Sequence, residues 1–351
     1  MPSLKRAGKT PSYRDIADQA GVSLMTVSLA LRNSPRISKP TRTRVRRVAA
    51  ELGYTSDPKI ADMMNYLRRR RVVKHHPVLA LINARGAPLS RLHAPYTVGI
   101  ARAASAAAQR QGYHTEEFWL GASGMTERRL SDILEARGIR GVLLLPLPPG
   151  RAALNLNWSR FAAISTCYLS HPSGLHHIST HRQHYIELAL KELRALGYRR
   201  IGLAIDEDMD VRSHHQTLAH YLWDQSRLPE SQRVRALLAP TLEREPLRDW
   251  LDEQKPEVVV SPRNHVHTLL VQLGYKIPRR IAFVSLAASA RDVPNLSGVD
   301  ERPETVGKAA VDFLAAQLQR GEFGVPQVRQ FLLVEAGWIQ GKTVRRVSSV
   351  F

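Results

Sequence analysis

The chain has 351 residues, enough to bury more than one core, and its 43% hydrophobic and 23% charged residues are ordinary globular composition. Its formal net charge of +20 is not ordinary and favours a polyanionic partner, nucleic acid or an anionic membrane surface. One cysteine, Cys167, leaves no internal disulfide and no cysteine-pair metal site, and no run of about 18 apolar residues offers a helical membrane span.

The surplus charge is uneven: residues 1–71 carry 16 Lys/Arg against 5 Asp/Glu, and the remaining 280 residues carry 35 against 26. The start, MPSLKRAGKT, is basic but leads into no apolar run, so no secretory signal and a soluble cytoplasmic protein are expected.

Ser12 opens the first helical pattern, with Ile16, Ala17 and Ala20 on one face and Asp15 as a carboxylate in the first turn. Gly21-Val22-Ser23 is predicted as a tight turn, where Gly takes a left-handed conformation and Ser23 caps a second helix running to about Leu31. That helix buries Val27. A third, from about Lys39 to Leu52, starts after Ser38, buries Val45, Val48, Ala49 and Leu52, and turns Arg42, Arg44, Arg46 and Arg47 outward. Three short helices with a glycine turn between the first two follow the helix-turn-helix plan, in which the second helix enters the major groove.

The stretch YRDIADQAGVSLMTVSLALRNSPRISKPTRTRVRRVAAELGY resembles the DNA-binding headpiece of the lactose-repressor (LacI/GalR) family. The likeness rests on the D-I-A-x-x-A-G-V-S run, the T-V-S core of the second helix, the R-I-S turn and the closing E-L-G-Y. It implies base-facing roles for Leu24, Met25 and Leu29, and phosphate contacts for Ser12, Thr26, Ser28, Arg32, Arg36, Ser38 and Thr41. Hydroxyls, helix N-termini and arginines suit phosphate oxygens.

One position departs from the family. T-V-S is usually followed by Arg, which reaches a guanine edge, whereas this chain has Leu29. Leucine cannot donate a hydrogen bond, so a thymine methyl becomes its natural contact unless Leu29 faces the core. After Tyr54, Asp57-Pro58 signals a further helix start. The family's hinge helix folds there on DNA and wedges an apolar side chain into the minor groove, a position that falls on Met63. The alternative is that Met63 and Met64 pack the hinge pair together. Arg68 to Arg71 form a basic linker.

From residue 77 short apolar runs alternate with amphipathic stretches. VLALIN, HTEEFWL, GVLLLPL, FAAISTCY, RIGLAI, EVVV and IAFVSL read as strands. Helices are predicted over Tyr96–Gln111, Thr126–Arg137, Tyr185–Leu196 and about 213–225. This is the pattern of parallel sheets covered on both faces, and about ten strands are too many for one such sheet.

The half is similar to the family's sensor domain of periplasmic-binding-protein fold, through Ala-Pro-Tyr, A-L-G-Y-R-R-I-G and L-G-Y-K-I-P-R-R-I-A-F-V. The fold expected is therefore an all-α three-helix headpiece with a hinge helix, then an α/β domain of two doubly wound parallel-sheet subdomains. The boundaries expected are 1–57 for the headpiece, 58–74 for hinge and linker, and 75–351 for an effector-binding and dimerisation domain. Its N-subdomain is expected over about 77–196 and 297–325, and its C-subdomain over about 197–296 and 326–344.

The family's sugar-binding carboxylates do not carry over. Thr180-His181, Arg263-Asn264 and Leu286-Ala287 stand where acidic residues and amides are usual. The candidate effector contacts are Tyr96, His181, Arg212, His214, Arg263 and Asn264, a cationic set that points to an anionic or sugar-derived small molecule, or to a cleft that has lost sensing. Fourteen histidines, among them His177, His181, His184, His214 and His215, raise a metal reading, but no H-E-x-x-H or flanking cysteine pair supports it. No phosphate-cradling loop or nucleophile elbow is present. No enzyme, cofactor, metal or membrane partner is expected. The resemblance implies a homodimeric transcription regulator, a repressor, on double-stranded DNA. The rival is a basic architectural protein with little sequence preference.

Overall fold

The structure, a computed structural model, describes residues 12–31, 36–52, 77–148, 151, 154–167, 174–288 and 295–347, with only the backbone of Ser28. Arg32, Met63 and the expected hinge and linker lie outside the described residues. The chain divides into two compact units, residues 1–76 with 316–322, and residues 77–315 with 323–351.

Among the described residues the N-terminal unit holds three helices: α1 (Tyr13–Ala20), α2 (Leu24–Leu31) and α3 (Lys39–Glu51). Ser12 caps α1 in a reciprocal box, its Oγ accepting from the Asp15 N–H at 3.4 Å while its own N–H donates to Asp15 Oδ2 at 2.7 Å. Gly21 ends α1 at φ 60°, a left-handed conformation glycine adopts without Cβ strain. Ser23 caps α2 by accepting from the Thr26 N–H at 3.1 Å. Ile16, Ala17, Ala20, Val27, Ala30, Val45, Val48 and Ala49 form one buried cluster, so each helix contributes one apolar face, as the spacing predicts.

The second unit contains two six-stranded sheets. The first has the order β11-β5-β4-β3-β1-β2, from β1 (Val78–Asn83), β2 (His114–Trp119), β3 (Gly141–Leu144), β4 (Ala162–Ser165), β5 (His176–Thr180) and β11 (Phe331–Val334). All its pairings are parallel. The second has the order β12-β10-β9-β8-β6-β7, from β6 (Ile201–Asp206), β7 (Leu237–Ala239), β8 (Val258–Ser261), β9 (Ala282–Ala288), β10 (Gly298–Asp300) and β12 (Gly337–Ile339). Only β12 runs antiparallel there.

Strand alternation explains why both faces are covered. In the second sheet Leu203, Val258, Val260, Ala282 and Val284 pack on one side against α6 (Arg182–Ala195) and α8 (Gln216–Ser226). Ala204, Val259 and Phe283 face the other way, onto α9 (Arg244–Gln254) and α10 (His265–Gln272). In the first sheet Ala80, Ile82, Val142, Leu144 and Ala163 pack with Leu130 and Leu134 of α5 (Glu127–Ala136). The other helices that matter are α4 (Pro95–Arg110), α7 (Glu207–Arg212) and α11 (Pro303–Arg320). At Gly307 of α11 a Cβ would meet the Ile100 carbonyl oxygen at 2.4 Å, so only glycine lets α11 lie this close to α4.

Two doubly wound subdomains are thus present, but the crossings fall elsewhere than expected. Helix α6 buries Ile186, Ala189, Leu190 and Leu193 against the second sheet, so the first crossing lies at His181 rather than near 197. Strand β10 pairs with β9, which moves the second crossing from 297 to just after Asp300. Strand β11 pairs with β5, and the third crossing falls between Val334 and Gly337 rather than near 326. Which sheet a strand joins depends on distant pairing partners, a property that local apolar pattern does not carry. The helix expected over about 213–225 is present as α8 but starts later, at Gln216, because His214 and His215 both have left-handed φ, 55° and 60°, and separate it from α7.

Candidate nucleic-acid interface and inter-subdomain cleft

On α2, Val27 and Ala30 face the headpiece core. At 100° per residue Met25 and Leu29, four residues apart, lie on the opposite face. Leu24 is 50% and Met25 73% exposed, and Leu29 is half-buried. Among the described residues none of the three belongs to the apolar cluster of the headpiece. Of the expected phosphate-contacting residues, Arg36 and Ser38 are exposed, and Thr26 and Thr41 are partly so. Ser23 and Thr26 share a hydroxyl hydrogen bond of 2.9 Å, as do Ser38 and Thr41, which presents paired hydroxyls at the starts of α2 and α3. Ser38 itself makes no capping bond to backbone. The outward face of α3 carries Arg44, Arg46 and Arg47, the last 3.6 Å from Glu51.

In the second unit the strands of both sheets present their C-terminal ends to a cleft of about 460 Å³. Its walls include Arg85, Tyr96 and Arg102 from the first subdomain, and Asn264, Ala287 and Ile339 from the second. Asp300, Glu301 and Glu304 add carboxylates at the second crossing. Tyr96 OH lies 2.9 Å from Thr180 Oγ1, and Asn264 accepts from Ser285 Oγ at 2.5 Å.

Of the six expected effector contacts, Tyr96 and Asn264 line this cavity. Arg263 instead reaches Asp206 through Nε and Nη2, at 2.5 and 2.8 Å, and Asp208 at 2.9 Å. Arg212 pairs with the same Asp208 at 3.3 Å and donates across to the Leu147 carbonyl of the first subdomain at 3.4 Å. Both guanidiniums are therefore engaged by protein groups. His181 stacks on His184 at 6.1 Å, and His214 is exposed on the α7–α8 break. Sequence reasoning missed Asp206 and Asp208. The signal available was position, since Asp206 closes a buried strand at its C-terminal end, where open α/β sheets place functional groups.

Burial alone would raise the Asp206 carboxyl, but Arg263 and the Met209 N–H outweigh it and hold the group below its ordinary range. Arg263 is raised in turn, first by its hydrogen bond to Asp206. At the crossings Arg182 Nη2 meets Glu301 Oε1 at 3.1 Å with both side chains buried, and Tyr185 OH donates to the same oxygen at 3.4 Å. Burial pushes the Glu301 carboxyl up against the pull of Arg182. Cys167 donates to the Leu145 carbonyl at 3.3 Å, and burial pushes its thiol up to about 11. Among the described residues no group of three or more His, Cys, Asp or Glu is placed to hold a metal ion, and no helix is long and apolar enough to cross a membrane.

A capped helix-turn-helix unit followed by two parallel-dominated sheets with three crossings defines a periplasmic-binding-protein-like domain carrying a DNA-binding-type headpiece. Residues 12–57 match the family described as bacterial regulatory proteins, lacI family, and residues 190–344 match the periplasmic binding protein-like domain. The chain thus joins a lacI-family helix-turn-helix segment to a periplasmic-binding-protein-like domain.

Among curated relatives it is 29% identical over 202 residues to the HTH-type transcriptional regulator MalR of Streptomyces coelicolor, covering 56% of this chain and 54% of MalR. It is 25% identical over 209 residues to the uncharacterized HTH-type transcriptional regulator YkvZ of Bacillus subtilis, covering 60% of each. The matches thus span a little over half the length of these two relatives. Among solved structures, the lac repressor dimer bound to operator and the anti-inducer ONPF has a TM-score of 0.55 at 19% identity, covering 96% of this chain and 100% of that one. A CelR–cellobiose complex has a TM-score of 0.54 at 19% identity, covering 95% and 100%. At that identity the likeness is one of fold.

Proposed function

We propose that this protein is a sequence-specific transcription regulator, a repressor, that binds a pseudo-palindromic operator as a homodimer and is controlled by a small molecule in the inter-subdomain cleft. The observation that carries the reading is the exposed apolar face of α2, Leu24 at 50% and Met25 at 73%, on a headpiece matched by the lacI family. Such a face gains most from thymine methyls in a major groove, and two headpieces related by a twofold would read two half-sites. The effector we infer is a saccharide-sized polar molecule. A cavity of about 460 Å³ lies in the ligand range, and its walls mix Tyr96, Asn264 and carboxylates with Ala287 and Ile339. Engagement of Arg212 and Arg263 by Asp206 and Asp208 disfavours an anion, and the CelR neighbour of the same fold holds cellobiose. Ligand binding that alters subdomain closure would shift the balance between DNA-competent and incompetent states.

The test is selection of bound duplex from a random pool, then titration of the winner against a scrambled control at fixed salt. A pseudo-palindromic winner bound on the order of a thousandfold more tightly than the control is the expected result. Near-equal affinities with a steep salt dependence would replace this reading with that of a basic architectural protein.

A further inference from the structure

We propose that the end of the second sheet opposite the cleft is a second, sequence-independent contact for duplex DNA. The topology brings six segments to that end: 197–200, 227–236, 255–257 and 273–281 lead into the N-terminal ends of β6, β7, β8 and β9, 295–297 leads into β10, and 340–347 follows antiparallel β12. These segments hold 12 Lys/Arg and 2 Asp/Glu. The rest of residues 77–351 holds 22 against 24, so the entire positive surplus of this unit sits on one end of one sheet.

Contacts between the segments fix the cations side by side. Arg200 donates to the carbonyls of Ser231 at 2.7 Å, Arg233 at 3.2 Å and Lys255 at 3.3 Å, tying three segments together. Arg345 donates to the Arg279 carbonyl at 3.3 Å, and the Lys342 N–H donates to the Asn295 carbonyl at 2.7 Å. One of the two carboxylates, Glu257, is occupied by the N–H groups of Arg199 and Arg200 at 2.6 and 2.9 Å.

The cations are not balanced locally. Of the twelve, only Arg235 forms an ion pair, with Glu253 at 2.6 Å, whereas at least 11 of the other 21 described Lys/Arg in residues 77–347 are paired. The side chains of Lys276, Arg280, Lys342 and Arg346 are exposed. Holding like charges together unpaired opposes folding through self-repulsion, a cost that a polyanion would relieve.

The arrangement selects a linear polyanion over a small one. From β10 to β7 are four strand spacings of about 4.8 Å, so the basic edge extends about 19 Å. Duplex DNA carries one negative charge per about 1.7 Å of axis, which sets roughly 11 phosphates against that length. No guanidinium here is both buried and aimed into a cavity, as a site for a single phosphate requires; the half-buried Arg200 is spent on carbonyls. Among the described residues none of the exposed large apolar side chains falls in the six segments, which disfavours a membrane surface. The choice of DNA rests on the reading of this chain as a DNA-binding regulator.

The experiment titrates a labelled random duplex of about 30 base pairs with the full chain between about 50 and 200 mM salt. Three proteins are compared: wild type, Lys276→Glu/Arg280→Glu/Lys342→Glu/Arg346→Glu, and a headpiece variant, Leu24→Asp/Met25→Asp. The first variant is expected to lower the salt slope by about 3 to 4, following roughly 0.9 per phosphate contact, so that a loss of about tenfold at 200 mM widens to several hundredfold or more at 50 mM. A matched Gln set with an unchanged melting curve checks that a loss reflects charge and not misfolding. Unchanged affinity and slope in both sets overturn the proposal. Loss in the four-site variant with an unaffected headpiece variant supports this contact and counts against the headpiece reading, and the reverse pattern does the opposite. Single-stranded RNA or phosphatidylserine vesicles held more tightly than duplex through the same four residues would overturn the assignment to DNA.

Discussion

Leu29 shows how one side chain carries a functional prediction. It sits one helical turn after Met25, on the face of α2 turned away from Val27 and Ala30, so a core role does not account for it. Replacing it with Arg should restore a guanine-reading donor. Operators selected by Leu29→Arg are expected to gain guanine at one symmetric step, worth about 1–3 kcal/mol of discrimination, and an unchanged operator would place Leu29 outside the groove.

Asp206 is the corresponding residue in the cleft. Its carboxyl is held below the ordinary range in the folded protein, so the stability it contributes is present above the unfolded value near about 3.9 and disappears as pH falls through the lowered native value. Urea midpoints of wild type and Asp206→Asn should differ at pH 5 and above and converge as acid protonates the native carboxylate. A constant gap across that range would mean that Arg263 does not hold it.

At the scale of elements, the two subdomains meet where three chain segments cross, and there the sequence spends buried charge. Arg182 opens α6 and Glu301 follows β10, and their 3.1 Å contact joins the first crossing to the second. Glu301→Gln removes the carboxylate beside a buried guanidinium and should cost on the order of 3 kcal/mol, read as a lower urea midpoint with unchanged slope. Gly307 governs the other contact at this level. With a Cβ only 2.4 Å from the Ile100 carbonyl, Gly307→Ala must push α11 away from α4, with an expected loss of about 1–3 kcal/mol. A neutral effect would show that the two helices separate easily.

Over the whole sensor unit, the contact that reports on closure is Arg212. It belongs to the second subdomain, shares Asp208 with Arg263, and reaches the Leu147 carbonyl of the first subdomain at 3.4 Å. Arg212→Ala should loosen the hold of the second subdomain on the first without any effector, seen as faster exchange of the Leu145 and Leu147 amides and a larger radius of gyration. Unchanged exchange would mean that the crossings alone set the closure angle.

The sequence by itself determined what depends on neighbours along the chain. The caps at Ser12 and Ser23, the left-handed Gly21, the apolar faces of α1 to α3 and the alternating buried strands all follow from short-range sterics and periodicity. They are legible because their causes lie within a few residues. The β1 and α4 stretches were read to within a residue for the same reason. Only the tertiary structure decided that α6 belongs to the second sheet, that β10 and β11 each join the sheet opposite to expectation, and that Arg212 and Arg263 are occupied by Asp206 and Asp208. Each of these depends on partners up to 154 residues apart, as in the Gln330–His176 hydrogen bond beside β11 and β5. Pairing energy and charge neutralisation are set by distance in space, and the order of residues along the chain encodes that distance only through the completed fold.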